Sequence, residues 1–413
     1  METANGQSRS STDTSRIITE VLDGIYSDSG RANPYPLYAR LRELGPVVTA
    51  PDGTVLISGY AEQKAFLQDH RLAKHPGRRL TAAGWPDWRD RPSLALMFES
   101  MLFLNPPDHT RLRRLVSAAF TPSRVERMRP VVQRITADLL DSLPRSTVNF
   151  VEDFALPMPI AVVAALLGVP SSDWPMFQSL ARDWTLVLDD VSPATVERAD
   201  RAAIEMGECF TRLAKDRAKQ PRDDMMSVIV GAQGDDKLTG RELVTMAALL
   251  LVAGFETSSG LLSKGLAALL RHPEQAARLR AEPELVVSAA EELIRFDSPI
   301  QLVPNRTAEE DMEVAGVKLA AKQPVIAVIG AGNRDPRVFT RPEELILDRQ
   351  EAPPLSFGGG VHYCLGAPLA RIETQVALPA VLRKFPDIEL AGTPVPRAGH
   401  VISGLLKLPV SLH

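Results

Sequence analysis

One long apolar segment in the second half of the chain constrains the fold most strongly. Thr239-Gly240-Arg241-Glu242 forms a capping box, which predicts that a helix begins there. The helix can continue to about Arg271, where His272-Pro273 ends it, and at 1.5 Å per residue it is on the order of 50 Å long. Its middle is apolar on every face, so we expect it to lie buried, with the rest of the chain packed around it.

The remaining patterns predict a mainly α protein with a minor β lobe. Most of residues 111–295 have helical patterns punctuated by prolines and aspartates, and a shorter helix is predicted over 34–44. Short strands are predicted over residues 47–50, 54–58, 313–319 and 325–329. No linker or internal repeat is visible, so we predict one domain over residues 16–413, after a disordered tail of residues 1–15 that is rich in Ser, Thr and Gly.

Composition excludes several classes of function. The net charge of −4 does not favour nucleic acid or an acidic membrane as a partner. The longest apolar run, Met246–Phe255, is too short to cross a bilayer, which takes about 20 residues, so we expect a soluble, cytoplasmic protein. Cys209 and Cys364 are the only two cysteines and no Cys-x-x-Cys pair exists, which argues against a zinc or disulfide framework.

Cys364 lies in a glycine-rich segment, Phe357–Gly366, and a helix is predicted directly after it, from Ala367 to about Lys384. Glycines allow close backbone approach, and a helix N-terminus stabilises an anionic sulfur. A thiolate at this position could lie against a flat cofactor. The alternative is a glycine-rich turn with a buried structural cysteine.

The spacing Phe-Gly-x-Gly-x-His-x-Cys-x-Gly resembles the heme-binding loop of the cytochrome P450 family, the heme-thiolate monooxygenases, and it matches from Phe357 to Gly366. The resemblance implies a single helix-rich domain with a long central helix and small sheets. It implies heme b (iron protoporphyrin IX) as the cofactor, with Cys364 as the axial iron ligand. Phe357, Gly358, His362 and Gly366 would contribute to the cofactor site.

The central helix contains Ala253-Gly254-Phe255-Glu256-Thr257, an unusual sequence for a buried helix. A helical glycine costs about 1 kcal/mol relative to alanine, and a buried carboxylate must be paired or protonated. One interpretation is a glycine for helix packing beside a paired glutamate. The segment also resembles the oxygen-activation motif of the family. That resemblance implies a kinked groove in which Ala253 and Gly254 leave room for a ligand of the iron, while Thr257 and Glu256 supply protons.

Glu292 and Arg295 are spaced i,i+3 on an amphipathic helix predicted over residues 283–296. Spacing alone would favour a surface ion pair, which stabilises a helix by a few tenths of a kcal/mol. Together with the cysteine loop, the pair resembles the Glu-x-x-Arg signature of the family. The implied role is a buried structural network that includes Arg334.

Four basic residues resemble the positions that hold the heme propionates in the family. His109 and Arg113 are spaced i,i+4 and share a helix face, while Arg306 and His362 match the other positions. Each residue alone is compatible with an ordinary solvated charge. Asn105 stands where the family often has an aspartate.

The basic residues Arg111, Arg113, Arg114 and Arg124 could form a positive surface for an acidic electron carrier, or a solvated helix face. No flavin or nicotinamide domain is visible in the chain. The resemblance therefore implies a separate ferredoxin and ferredoxin reductase as electron donors.

Substrate contacts are predicted from position alone, and an ordinary core role is equally compatible with each residue. The candidates are Trp85, Met97, Phe98, Leu250, Ile300, Val303 and Ile402, with Trp184, Leu188 and Leu405 as further ones.

The function that the resemblance implies is a monooxygenase. One atom of O₂ would enter a small, largely apolar molecule by hydroxylation or epoxidation, the molecule being a natural-product intermediate, and the other atom would leave as water. One alternative is another heme-thiolate reaction, such as oxidative coupling, desaturation or peroxide-driven oxidation. The other is a non-catalytic heme protein.

Overall fold

The computed structural model describes residues 11–117, 120–231, 238–399 and 401–413, which are mainly helical. The α-helices are α1 (Ser11–Tyr26), α2 (Asp28–Ala32), α3 (Tyr35–Leu44), α4 (Tyr60–Gln68), α5 (Pro76–Ala82), α6 (Pro92–Phe98), α7 (Asp108–Ser117), α8 (Pro122–Glu126), α9 (Arg129–Ser142), α10 (Pro157–Leu167), α11 (Trp174–Thr185), α12 (Pro193–Lys219), α13 (Met225–Gly231), α14 (Gly240–Arg271), α15 (Pro273–Ala281), α16 (Val286–Phe296), α17 (Ile329–Gly332) and α18 (Ala367–Lys384).

The strands are short. They are β1 (Val47–Thr49), β2 (Val55–Ile57), β3 (Leu72–Lys74), β4 (Thr147–Asn149), β5 (Val303–Ala308), β6 (Met312–Val314), β7 (Val317–Leu319), β8 (Pro324–Ala327), β9 (Glu389–Leu390), β10 (Val395–Pro396), β11 (Leu405–Lys407) and β12 (Pro409–Ser411). The fold is therefore helix-rich with small sheets, as predicted.

The central helix α14 is formed as the capping box predicts. The Glu242 N–H donates to Thr239 Oγ1 (3.2 Å), and the Thr239 N–H donates to the Glu242 carboxylate (2.8 Å). Its composition and length would allow a membrane span, but most of the helix is buried inside the protein. Helices α10, α12 and α18 pack against it, so α14 is the axis of the main apolar core.

The largest sheet has the strand order β1-β2-β8-β5-β3. Strands β2 and β8 pair in parallel, and the other neighbours are antiparallel. A separate apolar core, which includes Ile57, Val325 and Phe339, lies under this sheet. The register of β3 and β5 places Lys74 opposite Arg306, which brings two cations to one edge of the sheet.

Several predicted boundaries differ from the structure. The segment 313–319 is not one strand but the hairpin β6–β7, because Ala315 and Gly316 take positive φ values of 50° and 79° and turn the chain back. Helix α1 begins at Ser11, so the last residues of the predicted tail are helical. Residues 1–10 lie outside the described residues.

Candidate active site

Cys364 lies where the glycine-rich loop meets the N-terminus of α18. Its backbone N–H donates to Phe357 O (2.8 Å), which closes the loop. Gly358 and Gly360 have φ values of 72° and 58°, which favour glycine. A Cβ atom on Gly360 would also lie 3.0 Å from Leu67 O in α4, so this glycine permits the close packing of the loop on α4.

The Cys364 sulfur lies near the positive end of α18. Burial raises the pKa of the Cys364 thiol, while hydrogen bonds from the Gly366 and Ala367 N–H groups and the charge of Arg113 act in the opposite direction. These are the first free N–H groups of the helix, which attract an anion. These N–H groups and the charge of Arg113 therefore favour the thiolate form of Cys364 once a cation binds the sulfur.

A cluster of basic side chains lies beside this loop, consisting of Lys74, His109, Arg113, Arg306 and His362. The ring centroids of His109 and His362 are 4.1 Å apart. The charged groups that act on the two imidazoles are all basic, and none of those within the described ranges is a carboxylate. The structure thus brings together the four residues that the sequence predicts as propionate contacts.

This basic cluster is electrostatically unfavourable without an anion. Burial and the neighbouring cations lower the pKa of His109 to about 4, and the same two causes lower the pKa of His362. Burial lowers the pKa of Lys74 well below its usual range and that of Arg306 to about 10. His109 Nδ1 and Arg306 Nε are buried and make no hydrogen bond to any described residue. The cluster therefore requires acceptors from outside the chain.

The sequence analysis missed Lys74, which the structure adds to this cluster. Its ammonium group donates to Leu102 O, and Asn105 holds its backbone through two hydrogen bonds of 2.9 Å. An aspartate could accept from the Lys74 N–H but could not donate to the Lys74 carbonyl, which gives Asn105 a role. No local signal marks Lys74, because only the pairing of β3 with β5 places it beside Arg306.

The face of α14 that carries Leu250, Ala253 and Thr257 is open. Most of the helix is buried, yet Ala253 is exposed and the other two are partly exposed. Positions spaced by three, four and seven residues share a helix face. The helix therefore borders a cavity at the predicted oxygen-activation motif.

Gly254 has a different role from the one that the resemblance implies. A Cβ atom there would lie 2.7 Å from Val163 Cγ2 in α10, so the missing side chain allows α10 to pack on α14. This supports the helix-packing interpretation, and the open space lies at Ala253 instead. The helix is continuous from Gly240 to Arg271, and the predicted kink is not a break in it. Thr257 Oγ1 donates to Ala253 O (2.8 Å), a contact that bends helices slightly.

Glu256 is held by groups from outside α14. Arg397, which follows β10, forms an ion pair with Glu256 Oε2, and Thr185 at the end of α11 donates to Oε1 (3.2 Å). Both carboxylate oxygens are therefore engaged. The sequence analysis missed Arg397. This residue lies far from Glu256 along the chain, so no local pattern indicated that the two residues pair.

Glu292 and Arg295 form a buried bidentate pair rather than a surface one. Their hydrogen bonds measure 2.6 and 2.9 Å, and the Arg349 Nε donates to the same carboxylate (3.0 Å). Arg334 is buried beside this pair and donates to Phe296 O at the end of α16 and to the Glu343 carboxylate, so its contact with the network runs through the backbone of α16. The arginine that bonds directly to Glu292 from outside the helix is Arg349, which the sequence analysis missed.

The substrate candidates divide into two groups. Leu250, Ile300 and Val303 are partly exposed, and Ile402 pairs with Ile300 in an isolated β-bridge. Trp85 is also partly exposed, and its indole N–H donates to Val191 O. Three candidates face protein and not the cavity. Met97 and Phe98 are 0% and 2% exposed inside the main core, and Trp184 is fully buried and donates to Ser93 O. The predictions for Met97 and Phe98 are not supported, because a side chain facing an open cavity would show exposed surface.

Comparison with known proteins settles the family. The sequence profile of cytochrome P450 matches residues 148–406 of this chain. The chain belongs to the cytochrome P450 family. It is 36% identical over 394 residues to the polyketide biosynthesis cytochrome P450 PksS of Bacillus subtilis, a match covering 92% of this chain and 96% of the relative. It is 37% identical over 408 residues to the 6-deoxyerythronolide B hydroxylase of Saccharopolyspora erythraea, covering 96% and 100% of the two chains.

A solved P450 structure has the same fold. The crystal structure of P450BioI in complex with an acyl carrier protein ligated to hexadec-9Z-enoic acid matches with a TM-score of 0.85 and 33% identity, covering 93% of this chain and 100% of that one. The chain is thus a heme-thiolate monooxygenase. The residues present fit heme, since the basic cluster with its unpaired His109 Nδ1 and Arg306 Nε matches two propionates and the Cys364 thiol matches an axial ligand.

Proposed function

We propose that this P450 hydroxylates or epoxidises a largely apolar natural-product intermediate, using Cys364 as the axial ligand of its heme iron. The placement of the Cys364 thiol at the N-terminus of α18, beside a basic cluster that lacks an anion, carries the proposal. A structural cysteine would need neither the basic cluster nor the open face of α14.

Different residues around the cavity bind different parts of the cofactor. Heme, when bound, supplies the activation of dioxygen and the oxidation of the substrate. Cys364 donates its sulfur, and the N–H groups of Gly366 and Ala367 moderate the charge on that sulfur. The basic cluster, consisting of Lys74, His109, Arg113, Arg306 and His362, would hold the propionates through charge-assisted hydrogen bonds.

Thr257 and Glu256 supply protons on the open side of α14. The Thr257 hydroxyl donates to Ala253 O in the structure, and rotation about its Cα–Cβ bond turns it toward the cavity. Glu256 lies on the next position of the helix, with its two oxygens held by Arg397 and Thr185. Each carboxylate oxygen keeps a second lone pair, so Glu256 can exchange a proton with Thr257 or with a water beside it while these partners fix its orientation.

The substrate is a largely apolar molecule of the polyketide type. Leu250, Ile300 and Val303 are partly exposed and offer apolar surface. The printed names of the relatives point to polyketide biosynthesis for PksS and to 6-deoxyerythronolide B for the hydroxylase. P450BioI was solved with its fatty acid attached to a carrier protein. A carrier-bound substrate therefore belongs among those to test.

Electrons come from a separate ferredoxin and its reductase in the cytoplasm. Arg113 lies near Cys364, and Arg114 and Arg124 follow on neighbouring elements α7 and α8. Arg111 forms an ion pair with Glu242 and so contributes less to a positive surface. An acidic ferredoxin that docks on this side would approach the iron from the side of the sulfur.

The experiment is a titration of the ferric protein with macrolactones, free fatty acids and carrier-bound acyl chains, followed by turnover with ferredoxin, reductase and isotopically labelled O₂. We expect the Soret band to move on binding of one class, and the product of that class to contain one labelled oxygen atom. A product without labelled oxygen, or with two substrate molecules joined, would contradict oxygen insertion. No movement of the Soret band with any of these three classes would contradict the substrate class.

A further inference from the structure

A charged cluster joins the central helix to the connection between α11 and α12, residues 186–192. Arg397 pairs with Glu256 of α14, and its second terminal nitrogen lies 3.8 Å from the carboxylate of Asp189 in this connection. The hydroxyl of Thr185, the last residue of α11, lies 3.2 Å from the other oxygen of Glu256, and its single proton is shared with the Ala181 and Arg182 carbonyls at 3.0 Å. The side chains of Glu256, Arg397 and Asp189 are 10%, 21% and 22% exposed, so water screens them only in part.

The backbone around Arg397 is built for this approach. The Arg397 N–H donates to Gly404 O (3.0 Å), where an irregular register joins β10 to β11 and fixes the direction of the side chain. A Cβ atom on Gly399 would lie 2.4 Å from Asp189 Oδ2, so a larger residue here would displace the Asp189 carboxylate from its present position. The α11–α12 connection is also bound on its other side, where Arg79 and Trp85 donate to the carbonyls of Leu188 and Val191.

We propose that Arg397 is a positioning residue that couples the closed position of the α11–α12 connection to the orientation of Glu256. The inference rests on the proton-supplying role proposed above for Glu256. When the connection is closed, Arg397 lies between the carboxylates of Asp189 and Glu256. When the connection moves away, Arg397 loses Asp189, so its guanidinium group is held on one side only and no longer fixes the Glu256 carboxylate relative to Thr257.

The proposed coupling predicts that a change at Asp189, which does not contact Glu256, alters the function of Glu256. Asp189→Asn weakens the tie between the connection and Arg397, and we expect a bound ligand to leave the ferric enzyme about two- to fivefold faster, as for the loss of a partly exposed ion pair. Amide hydrogen exchange over residues 186–192 should also become faster. Because the closed position orients Glu256, the fraction of reducing equivalents that appear in product should fall as well.

A matched control is available one residue further on. Asp190→Asn removes the same charge from the same connection, but the hydrogen bonds of Asp190 go to Ser192 and Thr195 and not to Arg397. We expect it to leave the product fraction unchanged. Arg397→Gln should reproduce both effects of Asp189→Asn, and Arg397→Lys should restore part of each, since a lysine can face only one carboxylate at a time.

In Asp189→Asn, the rate of ligand release and the fraction of reducing equivalents that appear in product must change together. If Asp189→Asn accelerates ligand release but leaves the product fraction unchanged, or lowers the product fraction without changing release, the coupling is refuted. Thr257→Ala is the comparison, because it should lower the product fraction and leave ligand release unchanged. Heme content and Tm confirm that each variant is folded. If the unaltered enzyme forms no oxygenated product at all, the proposed function fails, whereas ligand release and hydrogen exchange still test whether Arg397 and Asp189 tie the connection down.

Discussion

Lys74 and Arg306 lie opposite each other in the sheet and, within the described part of the chain, neither forms an ion pair. Buried cations without an anion are costly, so the protein without its cofactor carries an unfavourable charge arrangement. Two propionates remove that cost when heme binds. The basic residues of this site therefore lower the stability of the heme-free protein and raise its affinity for heme.

Lys74→Met tests whether the buried charge lowers the stability of the heme-free protein and raises its affinity for heme. Methionine keeps the length of the side chain and removes the buried charge, so the heme-free protein should keep or gain stability while heme affinity falls about tenfold or more. Urea unfolding of the heme-free protein and heme transfer to apomyoglobin measure the two quantities. Lys318→Met, at an exposed position of β7, should change neither. A loss of stability without a loss of heme affinity would contradict the assignment of Lys74.

Thr257→Ala tests the proton-supplying hydroxyl. We expect electron consumption to continue while the fraction that reaches product falls several-fold, because the hydroxyl that directs protons is missing. Product formed per NADPH consumed is the measurement. Ser263→Ala is the matched control, since Ser263 makes the same type of contact with a backbone carbonyl four residues earlier in α14 but is fully buried. Unchanged coupling in Thr257→Ala would remove this residue from the mechanism.

At the scale of elements, α14 is positioned by what packs on two of its sides. Helix α10 packs closely on α14 at Gly254. Helix α18 packs on another side, where the carboxyl group of the buried Glu373 accepts a hydrogen bond from Ser258. The existence of α14 and α18 was predicted correctly, because capping residues and the terminating His-Pro are local signals. The role of Gly254 in packing was not decided by the sequence, because it depends on which helix lies opposite.

Gly254→Ala should destabilise the protein despite the better helix propensity of alanine. Overpacking costs about 1–3 kcal/mol, which exceeds the gain of about 1 kcal/mol in propensity. Val163→Ala should be destabilising alone but should relieve the clash in the double variant. The cycle is measured by chemical unfolding, and we expect a favourable coupling between the two changes. Additive effects would mean that α10 and α14 do not meet at these residues.

Glu373 gives the protein a predictable pH dependence. Burial raises the pKa of its carboxyl group to about 8 from the usual 4.5, so the folded state keeps a proton that the unfolded chain has lost. The free energy of unfolding should therefore fall as pH rises from about 4.5 to 8. Glu373→Gln should remove this part of the fall, and Tm measured at about pH 5 and about pH 9 would show it. Glu389→Gln, at an exposed position, should not. Parallel curves for wild type and Glu373→Gln would contradict the raised pKa.

At the scale of the whole molecule, the site is assembled from segments that are far apart in the sequence. The cysteine loop, the α14 motif and the Glu292–Arg295 pair are each contained in a short segment, so their patterns could be recognised. Lys74, Arg349 and Arg397 could not, because each is an ordinary basic residue until strand pairing or loop packing brings it to a partner. The unsupported predictions for Met97 and Phe98 have the same origin, since burial is a property of the folded chain.

The central claim is that the Cys364 sulfur binds the heme iron. The most direct measurement is the absorption spectrum of the reduced, carbon monoxide-bound protein for wild type, Cys364→Ser and Cys209→Ser, the two variants that each remove one of the two cysteines. We predict the thiolate-type Soret band in wild type and in Cys209→Ser, and its loss in Cys364→Ser with heme still bound. A thiolate-type band that survives in Cys364→Ser, or disappears in Cys209→Ser, would contradict the account.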